Sequence, residues 1–154
     1  MSWPTATAVL FVQLAAVCWF DWRKLIIPNL VNFSLLATGL MVRKFSFAED
    51  CRYALIRVAV VYALFLCIAK VYEKFRDRQG LGGGDIKFLG AAAVWIDAEH
   101  LPWLIFIASI SGLAYALAVG IVDQTLSRTT KLPFGPHLAL GLAVIWLMSL
   151  HGGH

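Results

Sequence analysis

The sequence predicts an all-α integral membrane protein of about six transmembrane helices, and three observations carry that class. Of 154 residues, 60% are hydrophobic and only 14% charged, where a soluble domain has about a quarter charged. Mean hydropathy is +0.77. The apolar residues fall in runs separated by short charged stretches. Residues 1–154 therefore read as a single polytopic membrane domain, and a soluble globular protein is excluded. The net charge of +4 does not indicate a nucleic-acid partner, because the cations sit in short loops rather than on one soluble face. They set topology against anionic lipid, and the lipid bilayer is the first expected partner.

The first apolar run, Thr5 to Phe20, has Gln13 as its one strongly polar interruption, with Trp3 and Trp19 placed to anchor at interfaces. About 20 residues cross a bilayer core, so this run spans only with its flanks. No basic stretch precedes it, so it is expected to be retained rather than cleaved as a signal. It ends at the polar interface Asp21-Trp22-Arg23-Lys24. Pro28, compatible with the first helical position, restarts the chain into Leu30 to Val42, and Arg43 to Arg52 forms a charged loop. The third segment, Tyr53 to Tyr72, carries Arg57 and Lys70 near its ends, where long side chains snorkel to the interface. A polar stretch, residues 73–80, leads into Gly82-Gly83-Gly84-Asp85 and the short fourth segment, Ile86 to Ile96. Leu101 to Val122 is the fifth and His137 to Leu150 the sixth, with Asp123 to Gly135 between them as a loop.

Lysine and arginine counts orient the bundle. With the N-terminus outside, the inner loops and their flanks hold nine cations: Arg23, Lys24, Lys70, Lys74, Arg76, Arg78, Lys87, Arg128 and Lys131. The outer ones hold four: Arg43, Lys44, Arg52 and Arg57. The prediction is N-out and C-out, which brings Asp21 and Asp85 to the cytoplasmic interface together.

An acid at the mouth of a membrane segment is expensive to keep, and three glycines before Asp85 let backbone or substrate approach closely. The competing reading of Asp85 is a helix-capping residue. Two carboxylates facing each other in a partly dehydrated site share one proton and titrate as a pair. The ionised member takes a proton from water while the protonated one polarises a peptide carbonyl. Asp21 and Asp85 are thus the candidate catalytic residues. The remaining acids, Asp97 among them, read as solvated. Ser111, Thr125, Ser127 and Cys18, Cys51 and Cys67 show no local triad with a histidine, and His100 and His137 read as interfacial. The cysteines form no C-x-x-C pair, so no metal site, disulfide framework or cofactor is expected.

These residues resemble a known family. Gly82-Gly83-Gly84-Asp85 fits the G-x-G-D signature of membrane aspartic proteases, and Asp21 to Asn29 is similar to the D-x-R-x-x-x-I-P-N motif of prepilin peptidases. Pro133-Phe134-Gly135-Pro136 resembles the P-F-G-P stretch that enters that family's last helix. The resemblance implies an inner-membrane endopeptidase, active site toward the cytoplasm, that removes the basic leader of prepilins and pseudopilins. By it, Asp21 and Asp85 activate water, and Gly82, Gly83 and Gly84 shape the loop and admit substrate. Lys87 and Arg23 tune the pair or bind lipid phosphate, and Asn29 satisfies backbone groups at a helix start. Glu73 and Asp77 lie where a basic leader would pass, though Lys74, Arg76 and Arg78 offset them. The long bifunctional members carry paired C-x-x-C motifs associated with N-methylation. Without such pairs this chain looks like the short branch similar to the TadV/CpaA enzymes of Flp (tight-adherence) pili, with no separate methyltransferase or zinc region. Other readings are a small proton-coupled transporter, with acids near the midplane, a related protease for another substrate such as the preflagellin peptidases or presenilin-like enzymes, and a scaffold without chemistry.

Overall fold

The computed structural model describes residues 3–46, 50–76, 80–123 and 132–151, the side chains of Ser46, Val122, Asp123 and His151 excepted. The described residues form six α-helices: α1 (Trp3–Lys24), α2 (Asn29–Ser46), α3 (Cys51–Arg76), α4 (Gly83–Trp95), α5 (Leu101–Asp123) and α6 (Gly135–His151). A single 3-10 turn, Ala98–His100, joins α4 to α5. Among the described residues there is no strand. Three segments, Trp3–Lys24, Cys51–Arg76 and Ala98–Ile121, are long and apolar enough to cross a membrane, and Gly135–Leu150 is a shorter apolar helix. Glu49, Asp77, Arg78 and the 124–131 part of the last loop, with Thr125, Ser127, Arg128 and Lys131, lie outside the described residues.

The helices run past the apolar cores from which they were read. Residues 21–24 continue α1 and 73–76 continue α3, because a charged side chain at an interface does not interrupt backbone hydrogen bonding. Pro28 stands just before α2 rather than inside it: its carbonyl accepts the N–H groups of Val31 and Asn32. The helix α1 ends on Leu25 at φ 52°, whose N–H bonds the Asp21 carbonyl. A left-handed conformation costs a non-glycine residue about 1–2 kcal/mol.

The organising element is the shortest one. At 13 residues, α4 is about 20 Å long, and Ile86 and every residue from Phe88 to Trp95 are buried. It packs against α2 and α3 and also touches α6, while α1 and α5 each pair with α6. A helix buried all round has apolar residues all round, and the run Gly90-Ala91-Ala92-Ala93 lets neighbouring backbones come close. Gly90 illustrates this: a Cβ there would lie 3.4 Å from Tyr62 Cβ. The outer faces of α3 and α5 instead expose Ile56, Val60, Leu64, Phe106, Ile110 and Leu117, the pattern of a lipid-facing surface.

Polar groups inside the bundle are paired across helices. Thr38 Oγ1 lies 3.1 Å from Gln13 Oε1, so the interruption in α1 meets a partner on α2. Trp95 Nε1 donates to the Leu35 carbonyl at 2.9 Å, and Trp146 Nε1 to Thr7 Oγ1 at 3.1 Å. The two indoles meet edge to face with centroids 5.3 Å apart.

Two expectations fail at the C-terminal end of α4. Arg57 does not snorkel to the interface, and Arg43 is not a loop cation. Arg43 Nε donates to the Val94 carbonyl and Arg57 Nε to the Ala93 carbonyl, each at 2.7 Å. Asp97, read as solvated, is 55% exposed and also pairs with Arg43 at 2.9 Å and with Arg57 at 3.7 Å. The physical reason is that the last carbonyls of a helix have no intrahelical donor, and in a buried helix only a neighbour's side chain can supply one.

Candidate active site

Asp21 reaches the interior through the register of α1. Ala6, Leu10, Leu14, Val17 and Asp21 are its buried residues, spaced by three and four so that they share one face. The acid takes the last position of an otherwise apolar stripe and is only 5% exposed. Its Oδ2 accepts the Gly135 N–H at 2.7 Å. That N–H belongs to the first residue of α6, where backbone donors are free and the helix dipole favours an anion. Gly135 is also required sterically, since a Cβ would stand 2.8 Å from Oδ2 and 2.9 Å from Asp21 Cβ.

Asp85 lies in the first turn of α4, partly buried. The glycines are not a loop: Gly82 is the N-cap residue, in extended conformation, and Gly83 and Gly84 begin the helix. Asp85 therefore is not the N-cap. It sits at the third helical position, and its carboxyl folds back toward Gly82. Each glycine meets different surroundings. A Cβ on Gly82 would lie 2.9 Å from Asp85 Oδ2, one on Gly84 3.3 Å from Ile27 Cβ, and one on Gly83 would meet nothing within 4 Å. Gly82 and Gly84 are thus the positions where an added side chain would press on a neighbour, the Asp85 carboxyl in one case and Ile27 in the other.

The ends of α1 and α4 bring the two carboxyls into electrostatic interaction with each other. The other residues singled out from the sequence sit around them differently. The Arg23 guanidinium lies over the exposed Trp19 ring, 4.1 Å from its centroid, a cation–π contact on the outer surface. Lys87 Nζ donates to Asn29 Oδ1 at 2.8 Å, tying the starts of α4 and α2. Asn29 thus spends its carbonyl oxygen on a neighbouring helix.

His137 and Ser111 were read as isolated, yet the fold joins them: His137 Nδ1 and Ser111 Oγ are 3.1 Å apart. His137 also interacts electrostatically with Asp21 and packs against the Tyr115 ring. Ser111 Oγ donates to the Ala108 carbonyl, so its one proton is committed and the pair links α5 to α6. The signal for His137 was its place two residues after Gly135 in the Pro-Phe-Gly-Pro-His run. Among the described residues no cluster of His, Cys, Asp and Glu could hold a metal ion.

Comparison with known proteins follows the same residues. The type IV leader peptidase family matches residues 8–117, a span that includes both aspartates and all three glycines. The chain belongs to the type IV leader peptidase family. It is 30% identical over 139 residues to a prepilin leader peptidase/N-methyltransferase of Dichelobacter nodosus, covering 90% of this chain and 46% of that protein. The proteins of the same name in Escherichia coli (strain K12) and Dickeya chrysanthemi are 33% and 34% identical, over 90% and 94% of this chain and 62% and 50% of their own lengths. This leader peptidase family member thus spans about half the length of the curated relatives it matches. No solved structure matches it.

Proposed function

We propose that this chain is a membrane aspartic endopeptidase that cuts the leader from type IV prepilins and pseudopilins, of the Flp type, at the cytoplasmic face of the bacterial inner membrane. The observation that carries the reading is the convergence of Asp21 and Asp85 from two separate helix ends, with the Gly135 N–H held on one of them at 2.7 Å. Family membership and the relatives' names support the substrate class. Residues 1–154 act as one polytopic peptidase domain, N-out and C-out, which orients the α1 end and the α4 and α6 starts toward the cytoplasm. Both acids lie within one turn of a helix end, away from the mid-helix position that a transporter needs. Methyl transfer and a zinc site form no part of the proposal, since Cys18, Cys51 and Cys67 form no pair.

The dyad holds one proton between two carboxyls. The ionised carboxylate removes a proton from a water molecule, whose oxygen attacks the scissile carbonyl carbon. The protonated carboxyl gives its proton to the carbonyl oxygen, forming a tetrahedral diol. Collapse breaks the C–N bond, the departing nitrogen is protonated by the first acid, and the shared proton is restored. The Gly135 N–H fixes the orientation of the Asp21 carboxyl throughout.

Co-expression with a Flp-type prepilin, followed by the mass of the processed product, tests the reading. Asp21→Asn and Asp85→Asn each lower processing by about 10³-fold, the scale for loss of a positioned acid or base, while the protein stays in the membrane. Full processing by either variant overturns the dyad. A periplasmic location for a reporter fused after Arg76 overturns the orientation.

A further inference from the structure

One proton serves two carboxyls, and the surroundings of the two are unequal. Asp21 Oδ2 accepts the Gly135 N–H at 2.7 Å, the short end of the range for a charged acceptor, and that donor opens α6. His137, two residues further into α6, interacts electrostatically with the same carboxyl. The Asp85 carboxyl has Asp21 itself as its charged neighbour. The cations that follow each acid by two residues are engaged elsewhere, Lys87 with Asn29 Oδ1 at 2.8 Å and Arg23 over the Trp19 ring. We propose that the start of α6 selects Asp21 as the ionised member of the dyad and leaves the shared proton on Asp85, with His137 as the positioning residue that holds the charge on Asp21. Since Oδ2 is committed to Gly135, Oδ1 is the oxygen left to take the proton from water. The water oxygen bonds the scissile carbon as that proton leaves, and the Asp85 proton goes to the carbonyl oxygen.

The partners of His137 prepare it for that part. Ser111 Oγ gives its proton to the Ala108 carbonyl at 3.1 Å and so meets His137 Nδ1, also at 3.1 Å, as an acceptor. Nδ1 therefore carries the ring hydrogen, and Nε2 is the nitrogen that gains and loses a proton. The Tyr115 and Phe134 rings pack against the imidazole with centroids 5.5 and 6.4 Å away. Among the described residues, the titratable groups facing Asp21 are Cys18 one turn back on α1, Asp85 on α4 and His137 on α6. Those facing His137 are Asp21 and, on α5, Tyr115. Of all these groups only the histidine becomes a cation. Two effects pull the other way: Asp21 is the more buried acid, and the dipoles at the end of α1 and the start of α4 favour a charge on Asp85. The dipole fields are spread over a turn, whereas the Gly135 N–H bonds the carboxyl directly. A carboxylate removed from water keeps its charge only where a donor or a cation stands close to it, and Asp21 is the acid with both.

The inference rests on the proposed dyad, and its first test needs no turnover. Dicyclohexylcarbodiimide adds to protonated carboxyls in apolar surroundings. Full-length protein in bilayer vesicles is treated with it over a range of pH, and the adducts are mapped by mass. At neutral pH Asp85 carries about tenfold more adduct than Asp21, the ratio that one pKa unit gives. Asp21 gains adduct only as the pH falls, which shows that the reagent reaches it. Equal adducts at neutral pH, an excess on Asp21, or an Asp21 that labels at no pH overturns the assignment. The pH profile of precursor cleavage tests His137. His137→Phe moves the acid limb of kcat up by about one pH unit and leaves the alkaline limb in place, whereas His137→Lys, which keeps a cation, does not raise the acid limb. An acid limb unmoved in His137→Phe overturns the role of the histidine even where the rate falls, because a merely structural loss lowers the rate without shifting the limb. If that variant does not accumulate, Ser111→Ala, which takes the acceptor from Nδ1, shows a smaller shift in the same direction, and its absence counts the same way. Wild-type protein that cleaves no precursor overturns the peptidase reading, while the adduct map still reports which aspartate holds the proton.

Discussion

The two ends of α4 are built on opposite principles. At the C-terminal end, Arg43 and Arg57 cap the Val94 and Ala93 carbonyls, Asp97 pairs with both, and Trp95 is hydrogen-bonded and meets Trp146 edge to face. Acceptors and cations are matched there. At the N-terminal end, Gly82 caps without a side chain, the Asp85 carboxyl interacts electrostatically with that of Asp21, and Asn32 Oδ1 has no donor among the described residues. The same helix thus has one end closed by compensation and one left beside a second carboxyl and an acceptor unmatched among the described residues. Sites that perform chemistry hold such costs and offset them elsewhere in the fold.

The comparison breaks most sharply if activity and stability separate between the ends. Beyond the aspartate substitutions, Gly135→Ala is the largest expected effect at the chemical end. Its Cβ would displace the Asp21 carboxyl, and processing falls by about 100-fold, as small misplacements of reacting groups do. Its unfolding in mixed micelles moves little by comparison. Arg43→Met has the reverse signature: it orphans the Val94 carbonyl and lowers stability by about 1–3 kcal/mol, while each folded molecule retains its processing rate. A substitution that lowered both quantities equally at either end would erase the distinction.

Smaller effects sharpen it. Gly82→Ala pushes on Asp85 Oδ2, whereas Gly83→Ala meets open space. Processing by the Gly83 variant should exceed that of the Gly82 variant by about tenfold or more, in line with loss of a well-placed carboxyl. The smallest effect lies away from α4. Asp50 precedes α3, accepting the Arg52 N–H at 3.0 Å and pairing with the Arg52 guanidinium at 3.0 Å. Those two partners hold its carboxyl below the usual carboxylate range. Because the folded value is depressed, the stabilisation is present above the unfolded pKa and is lost as pH falls through the folded one. The protection of the Arg52 and Tyr53 amides, measured against their intrinsic exchange rates at each pH, should hold at neutral pH and fall only in acid, and Asp50→Ala should remove that dependence.

Much of the site was legible because acids in an apolar chain are conspicuous: Asp21 and Asp85 stand out against the segments they border, and the glycines mark where a helix starts without side chains. The roles of their neighbours were less legible. Gly135 looked like part of a motif, with no indication that its N–H would meet Asp21. Arg43 and Arg57 looked like ordinary interfacial cations, because nothing local distinguishes a snorkelling arginine from one turned inward to a helix end. Helix limits were read short at Phe20 and Tyr72, since hydropathy falls at the interface while the backbone hydrogen bonds continue.

The sequence by itself determined an all-α membrane protein, six helices in order, and a pair of acids at helix ends. Those are one-dimensional properties: bilayer thickness sets segment length, and the cost of charge in lipid sets where charges fall. The tertiary structure decided that the shortest helix is the centre, that Gly135 holds Asp21, that Arg43 and Arg57 close α4, and that Asn32 keeps an unmatched oxygen. A helix that is apolar on every side carries no mark of which face turns inward. That choice is made by close packing and by the requirement that each buried carbonyl and N–H find a partner, and both depend on neighbours distant in the chain.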